Sequence, residues 1–178
     1  MPENEPIKRL LAAIAFANDQ SAYKELFMLL HGRLKQFAYS ILKSQEEAEE
    51  LVSDLFIKVW EKRDQLTTIE SPLLYFYTTA KNLAYNRINK QKRQQNPNPE
   101  EWLIQLNSIY FDPEQLMMTE EMMRQIRQAI NNLPPRCRII FKLVKEDGLK
   151  YKEVAELLQL SVKTIEAQMA IALRRLGK

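Results

Sequence analysis

The apolar positions of this chain fall at helical spacing almost from its start. Ile7, Leu10, Leu11 and Ile14 follow Pro6 in steps of three and four, which predicts a helix ending near Asn18 and Asp19. A second helix is predicted over 21–43, where Phe27, Leu30, Leu34, Phe37, Ala38 and Ile41 trace one buried stripe. Ser44 precedes Glu47 at capping-box spacing and opens a third. Ala48, Leu51, Val52, Leu55, Phe56, Val59 and Trp60 form its apolar side, while Glu46, Glu49, Glu50, Ser53, Asp54 and Lys58 lie towards the other.

Ser71 followed by Pro72 reads as an N-cap and first helical position, starting a fourth helix that runs to about Lys92. Its buried side is Leu73, Phe76, Tyr77, Ala80, Leu83, Ala84 and Ile88. Tyr75, Phe76 and Tyr77 do not make a base-stacking row, because three consecutive residues cannot share one helical face. The polar, proline-containing stretch QKRQQNPNPEEW then blocks helix continuation and offers little to bury, so it reads as a linker.

Asp112 and Pro113 repeat the cap-then-proline signal, opening a helix with Leu116, Met123, Ile126 and Ile130 on one side. Three more follow: 135–146, stopped by Asp147 and Gly148; 150–158; and 162–176, stopped by Gly177. With few glycines and few β-branched runs, the expectation is an all-α chain of two small helical domains, over 1–94 and 113–178, joined by a linker at 95–112.

Charge adds a direction that periodicity lacks. The net charge of +3 names no partner, but its distribution is uneven. Lys81, Arg87, Lys90, Lys92 and Arg93 follow one another without an intervening acid, whereas the stretch from Glu46 to Asp54 is dominated by acids. One cysteine, Cys137, excludes an internal disulfide and any paired-cysteine metal site. His31 is the sole histidine, and there is no glycine-rich phosphate loop, so neither a catalyst nor a cofactor or metal is expected. The apolar run within MPENEPIKRLLAAIAFANDQ is too soon interrupted for a signal or membrane span, which points to the cytoplasm.

The last two helices carry the sharpest pattern. In a helix-turn-helix the facing positions must be apolar or small, as Val154, Ala155, Leu158, Leu160 and Ile165 are, and Ser161 is placed to cap the second helix. That helix assigns Val162, Ile165, Met169, Ala172, Leu173 and Leu176 to one stripe, leaving Lys163, Thr164, Ala167, Gln168, Ile171, Arg174 and Arg175. Donors near the start, small residues for close approach and cations for phosphates suit a major groove. A solvated amphipathic helix would show the same stripe, so the first half has to discriminate.

EAEELVSDLFIKVW and YFYTTAKNLAYNRINKQKR resemble region two of bacterial extracytoplasmic-function sigma factors, the small members of the sigma-70 family. LPPRCRIIFKLVKEDGLKYKEVAELLQLSVKTIEAQ resembles region four of the same family, in the same order. The resemblance implies a transcription initiation factor that binds core RNA polymerase and promoter DNA, held inactive by an anti-sigma factor. It implies polymerase contacts at Glu50, Leu51, Ser53, Asp54 and Lys58. For the −10 element it implies the loop Leu66, Thr67, Thr68, Ile69 and Glu70, together with Asn82, Arg87, Lys90, Lys92 and Arg93. For the −35 element it implies Lys163, Thr164, Glu166, Ala167, Gln168, Ala170, Ile171, Arg174 and Arg175, with Arg136, Tyr151 and Lys152 near the backbone. Glu166 suits an amino group of cytosine and is repelled by phosphate, favouring specificity over affinity. The alternative is a helix-turn-helix regulator acting without polymerase, its first half a sensor or dimerisation bundle.

Overall fold

The computed structural model describes residues 4–91 and 120–177, and the chain divides into two compact units, Met1–Pro97 and Asn98–Lys178. Every regular element among the described residues is helical. The linker, the sequence WLIQLNSIYF, the Asp112–Pro113 cap, Leu116, Lys92 and Arg93 lie outside them, as does the side chain of Met123.

The first unit comprises α1 (Asn4–Ala17), α2 (Gln20–Leu42), α3 (Gln45–Glu61), a 3-10 turn (Arg63–Thr68) and α4 (Pro72–Gln91). Helix α1 buries Ile7, Leu11 and Ile14 on one stripe. Asn18 at φ 52° turns the chain, and Asp19 caps α2 by accepting from the N–H of Ser21 at 2.8 Å and of Ala22 at 3.1 Å. Such a carboxylate satisfies two of the donors that a helix start leaves without partners. Ser44 caps α3 as its spacing predicts, accepting from the Glu47 N–H at 3.2 Å.

The cap of α4 comes partly from far away in sequence: the N–H of Leu73 donates to Asn4 Oδ1 at 3.1 Å. The start of α1 is thereby fastened to the start of α4. Between α2, α3 and α4 lies a core in which Phe76 and Tyr77 are wholly buried and Phe56 nearly so. Their rings meet edge to face, Phe37 with Tyr77 at 5.0 Å and Phe27 with Phe56 at 4.9 Å. Truncating a ring such as Phe76 to alanine costs ~3–5 kcal/mol.

The second unit comprises α5 (Glu120–Asn131), α6 (Pro135–Lys145), α7 (Tyr151–Leu158) and α8 (Val162–Leu176). Pro135 starts α6 where its missing N–H costs nothing, and Gly148 at φ 72° turns the chain after it. Ile130, Leu133, Cys137 and Ala172 make a core cluster that Ile126, Phe141 and Leu176 extend. Leu173 is a correction to the predicted stripe, being 50% exposed. Ile165, Met169, Ala172 and Leu176 already complete the inner face, and Leu173 is turned about 100° from Ala172.

Candidate nucleic-acid interface and docking face

Helices α7 and α8 meet through a tight turn with defined chemistry. Gln159 adopts the left-handed conformation at φ 55°, ψ 43°, and its N–H donates to the Ala155 and Glu156 carbonyls. Leu160 N–H adds a bond to the Ala155 carbonyl at 2.9 Å. Ser161 then caps α8, accepting from Thr164 N–H at 3.0 Å. Val154, Ala155, Leu158 and Ile165 are buried between the two helices, as the motif requires.

On the outer side of α8, Lys163, Ala167, Ala170 and Arg174 recur at positions four, seven and eleven along one exposed line. Ile171, 37% exposed, and Glu166 flank it. Arg175, Arg136 and Lys152 are also exposed, and none of these cations is paired with an acid among the described residues. Tyr151 is half-buried. Two small side chains between two cations allow close backbone approach to a polyanion.

Two predicted contacts turn elsewhere. Gln168 faces α6, where the Cys137 thiol donates to its Oε1 at 2.9 Å, because its position on α8 borders the buried stripe. Thr164 shares a hydrogen bond of 2.8 Å with Ser161 Oγ and belongs as much to the cap as to the face. Burial pushes the Cys137 thiol up, with Arg175 partly opposing.

On α3, Glu50, Ser53, Asp54 and Lys58 are exposed. Leu51 is not: it is wholly buried, because it belongs to the apolar stripe, and it supports this face from beneath. Ile57 takes its place at the surface, 56% exposed in the middle of the polar side. Its signal in the sequence is an apolar residue out of register with the stripe. Glu49 is drawn towards α2, with Lys35 Nζ and His31 Nε2 each 2.6 Å from its carboxylate. The Lys35 hydrogen bond first, then His31, holds that carboxyl below its usual range against the opposing effect of burial.

Arg87 departs furthest from expectation. Its guanidinium donates to the Glu47 carbonyl at 3.1 Å, to Glu50 Oε2 at 3.2 Å and to Asp54 Oδ2 at 2.6 Å, so it faces α3. The exposed line of α4 runs instead through Asn82, Asn86 and Lys90 at four-residue intervals, and Asn86 is the member that sequence reasoning missed. Tyr75 is half-buried against Phe76. In the connection to α4, Thr67, Thr68 and Glu70 are exposed and Ile69 is half-buried, whereas Leu66 is 3% exposed and anchors the turn. Arg63 pins this segment, donating to Asn18 Oδ1 at 2.6 Å and to the Trp60 carbonyl at 2.8 Å while lying over the Trp60 ring.

These two units define an all-helical protein with a capped helix-turn-helix in its second unit and an exposed, charged face on α3 of its first. Two family models match, Sigma-70 region 2 over residues 26–94 and Sigma-70, region 4 over 123–176. The ECF RNA polymerase sigma factor SigW of Bacillus subtilis is 27% identical over 158 residues, covering 85% of this chain and 84% of that protein. The ECF RNA polymerase sigma-E factor of Escherichia coli K12 is 24% identical over 159 residues, covering 85% and 82%. Among solved structures, CnrH in complex with the cytosolic domain of CnrY superposes with a TM-score of 0.55 at 19% identity, over 97% of this chain and 95% of that one. The sigma factor RpoE in complex with the anti-sigma factor NepR from Bartonella quintana gives 0.54 at 22%, over 87% and 94%. Both share the fold. The chain belongs to the sigma-70 family, in its extracytoplasmic-function group. It directs RNA polymerase to promoters and is not an enzyme. No helix among the described residues is long and apolar enough to cross a membrane.

Proposed function

We propose that residues 1–94 dock on core polymerase and hold the −10 element, that 113–178 read the −35 element, and that 95–112 join them. The observation that carries the DNA assignment is the exposed line Lys163, Ala167, Ala170 and Arg174 on a capped helix whose opposite side is buried. Lys163 and Arg174 neutralise phosphates while Glu166 selects at a base edge. Arg136 and Lys152 hold the flanking backbone, with Tyr151 beside them.

In the first unit, Glu50, Ser53, Asp54 and Lys58 surround Ile57, and we assign this patch to polymerase. An apolar anchor ringed by charge joins affinity to orientation. Asn82, Asn86 and Lys90, with the segment 67–70, form the surface for the opened −10 strand, where hydrogen-bonding side chains meet bases and a cation meets the backbone. Lys92 and Arg93 extend that basic run in sequence. An anti-sigma factor is a further expected partner, supported by the NepR complex of the fold neighbour. Polymerase and promoter together place the work in the cytoplasm.

Footprinting on a cognate promoter, with and without core polymerase, tests this reading. Two separated protected elements are expected with core and none without it. Protection of a single palindromic site by the chain alone would replace it with a regulator.

A further inference from the structure

We propose that Arg87 is a positioning residue for the polymerase-docking face and makes no contact with promoter DNA, an inference that rests on the docking reading above. Leu73, Ala80 and Ala84 lie on the buried stripe of α4, and Arg87 continues that line three residues past Ala84. Its side chain is 23% exposed, whereas Asn82, Asn86 and Lys90 occupy the exposed side. Where the apolar stripe runs out, the guanidinium completes the packing of α4 on α3.

The partners decide the role. Glu50 and Asp54 are four residues apart on α3, so their carboxylates share a face and repel each other. Arg87 bonds to one oxygen of each, at 3.2 and 2.6 Å, which holds both side chains in place. The carboxylates themselves remain largely exposed, at 73% and 54%. Each keeps a second oxygen with which to accept from a cationic partner. Arg87 also removes one unit of negative charge from the patch, an opposing effect that exposure and salt screening weaken. Fixing two side chains before association outweighs it, and is worth about tenfold in affinity. A lysine replaces the fork only in part, because its ammonium keeps the charge but does not hold both carboxylates with planar geometry.

The test uses the full chain with core polymerase and four variants: Arg87→Ala, Arg87→Lys, the double variant Glu50→Ala with Asp54→Ala, and Tyr23→Phe. The last loses the Tyr23 hydrogen bond to the Phe56 carbonyl, 2.9 Å long, and controls for a general loss of stability in the same unit. Affinity for core is measured well below the melting temperature of each. The salt dependence of promoter binding is then measured at saturating core. We expect the double variant to weaken capture of core by tenfold or more, Arg87→Ala by about tenfold, Arg87→Lys by less, and Tyr23→Phe not at all. Promoter binding by the Arg87→Ala holoenzyme should keep the parental salt slope.

Parental core affinity for Arg87→Ala beside a weakened double variant overturns the positioning role and leaves the docking face standing. A salt slope reduced by about one overturns it in favour of a phosphate contact. An unaffected double variant removes the docking face, and this inference with it.

Discussion

The Cys137 thiol donates to Gln168 Oε1 at 2.9 Å, fastening α6, which opens at Pro135, to α8. A glutamine at a position bordering the core is explained by this one bond. Cys137→Ala leaves the half-buried amide oxygen without its donor and is predicted to cost ~1–3 kcal/mol, whereas Cys137→Ala combined with Gln168→Leu should come close to the parent. Thermal unfolding of the four corners of that cycle measures it. Burial raises the thiol from its ordinary value of 9.0, so the unfolded chain releases this proton first as pH rises. Stability from this group is complete below that value and is lost above it, and Cys137→Ser should lack that alkaline component.

Gln159 occupies a left-handed turn at φ 55°, a conformation costing a side chain with Cβ ~1 kcal/mol. Gln159→Gly is expected to stabilise by about that amount, and Ser161→Ala to destabilise by ~1 kcal/mol through loss of the cap. Denaturant midpoints check both. The same sign for the two would contradict the geometry of the turn.

Arg174 sits on the exposed line of α8 and Glu166 beside it. Arg174→Ala should weaken holoenzyme binding to all promoters alike and lower the salt slope by about one. Glu166→Gln should instead change the preferred base at one −35 position with the slope nearly kept. Binding titrations across salt and across a randomised −35 element separate the two effects.

Glu49, held between Lys35 and His31, carries a depressed carboxyl in the folded state. Its contribution is therefore present above the ordinary value of 4.5 and lost as pH falls through the lower folded value. Glu49→Gln should unfold with a shallower acid dependence than the parent, followed by circular dichroism from pH 6 downwards.

The helices were legible where the information is local. The stripes of α2 and α3 and the Ser44 and Ser161 caps follow from spacing and backbone chemistry alone. Leu51 shows the reverse: periodicity placed it in the core correctly, and resemblance assigned it a partner that its burial forbids. Arg87 reads as one more cation in a basic run until α3 brings Glu50 and Asp54 beneath it. The Asn4 cap on α4 spans 69 positions, and nothing near Pro72 announces it.

Run-off transcription with purified core polymerase on genomic fragments, with start sites mapped, tests the central claim most directly. Transcripts that require the chain, and begin downstream of two unlike elements whose separate disruption abolishes them, are the predicted result. Identical start sites in its absence, or no transcription in its presence, would contradict it.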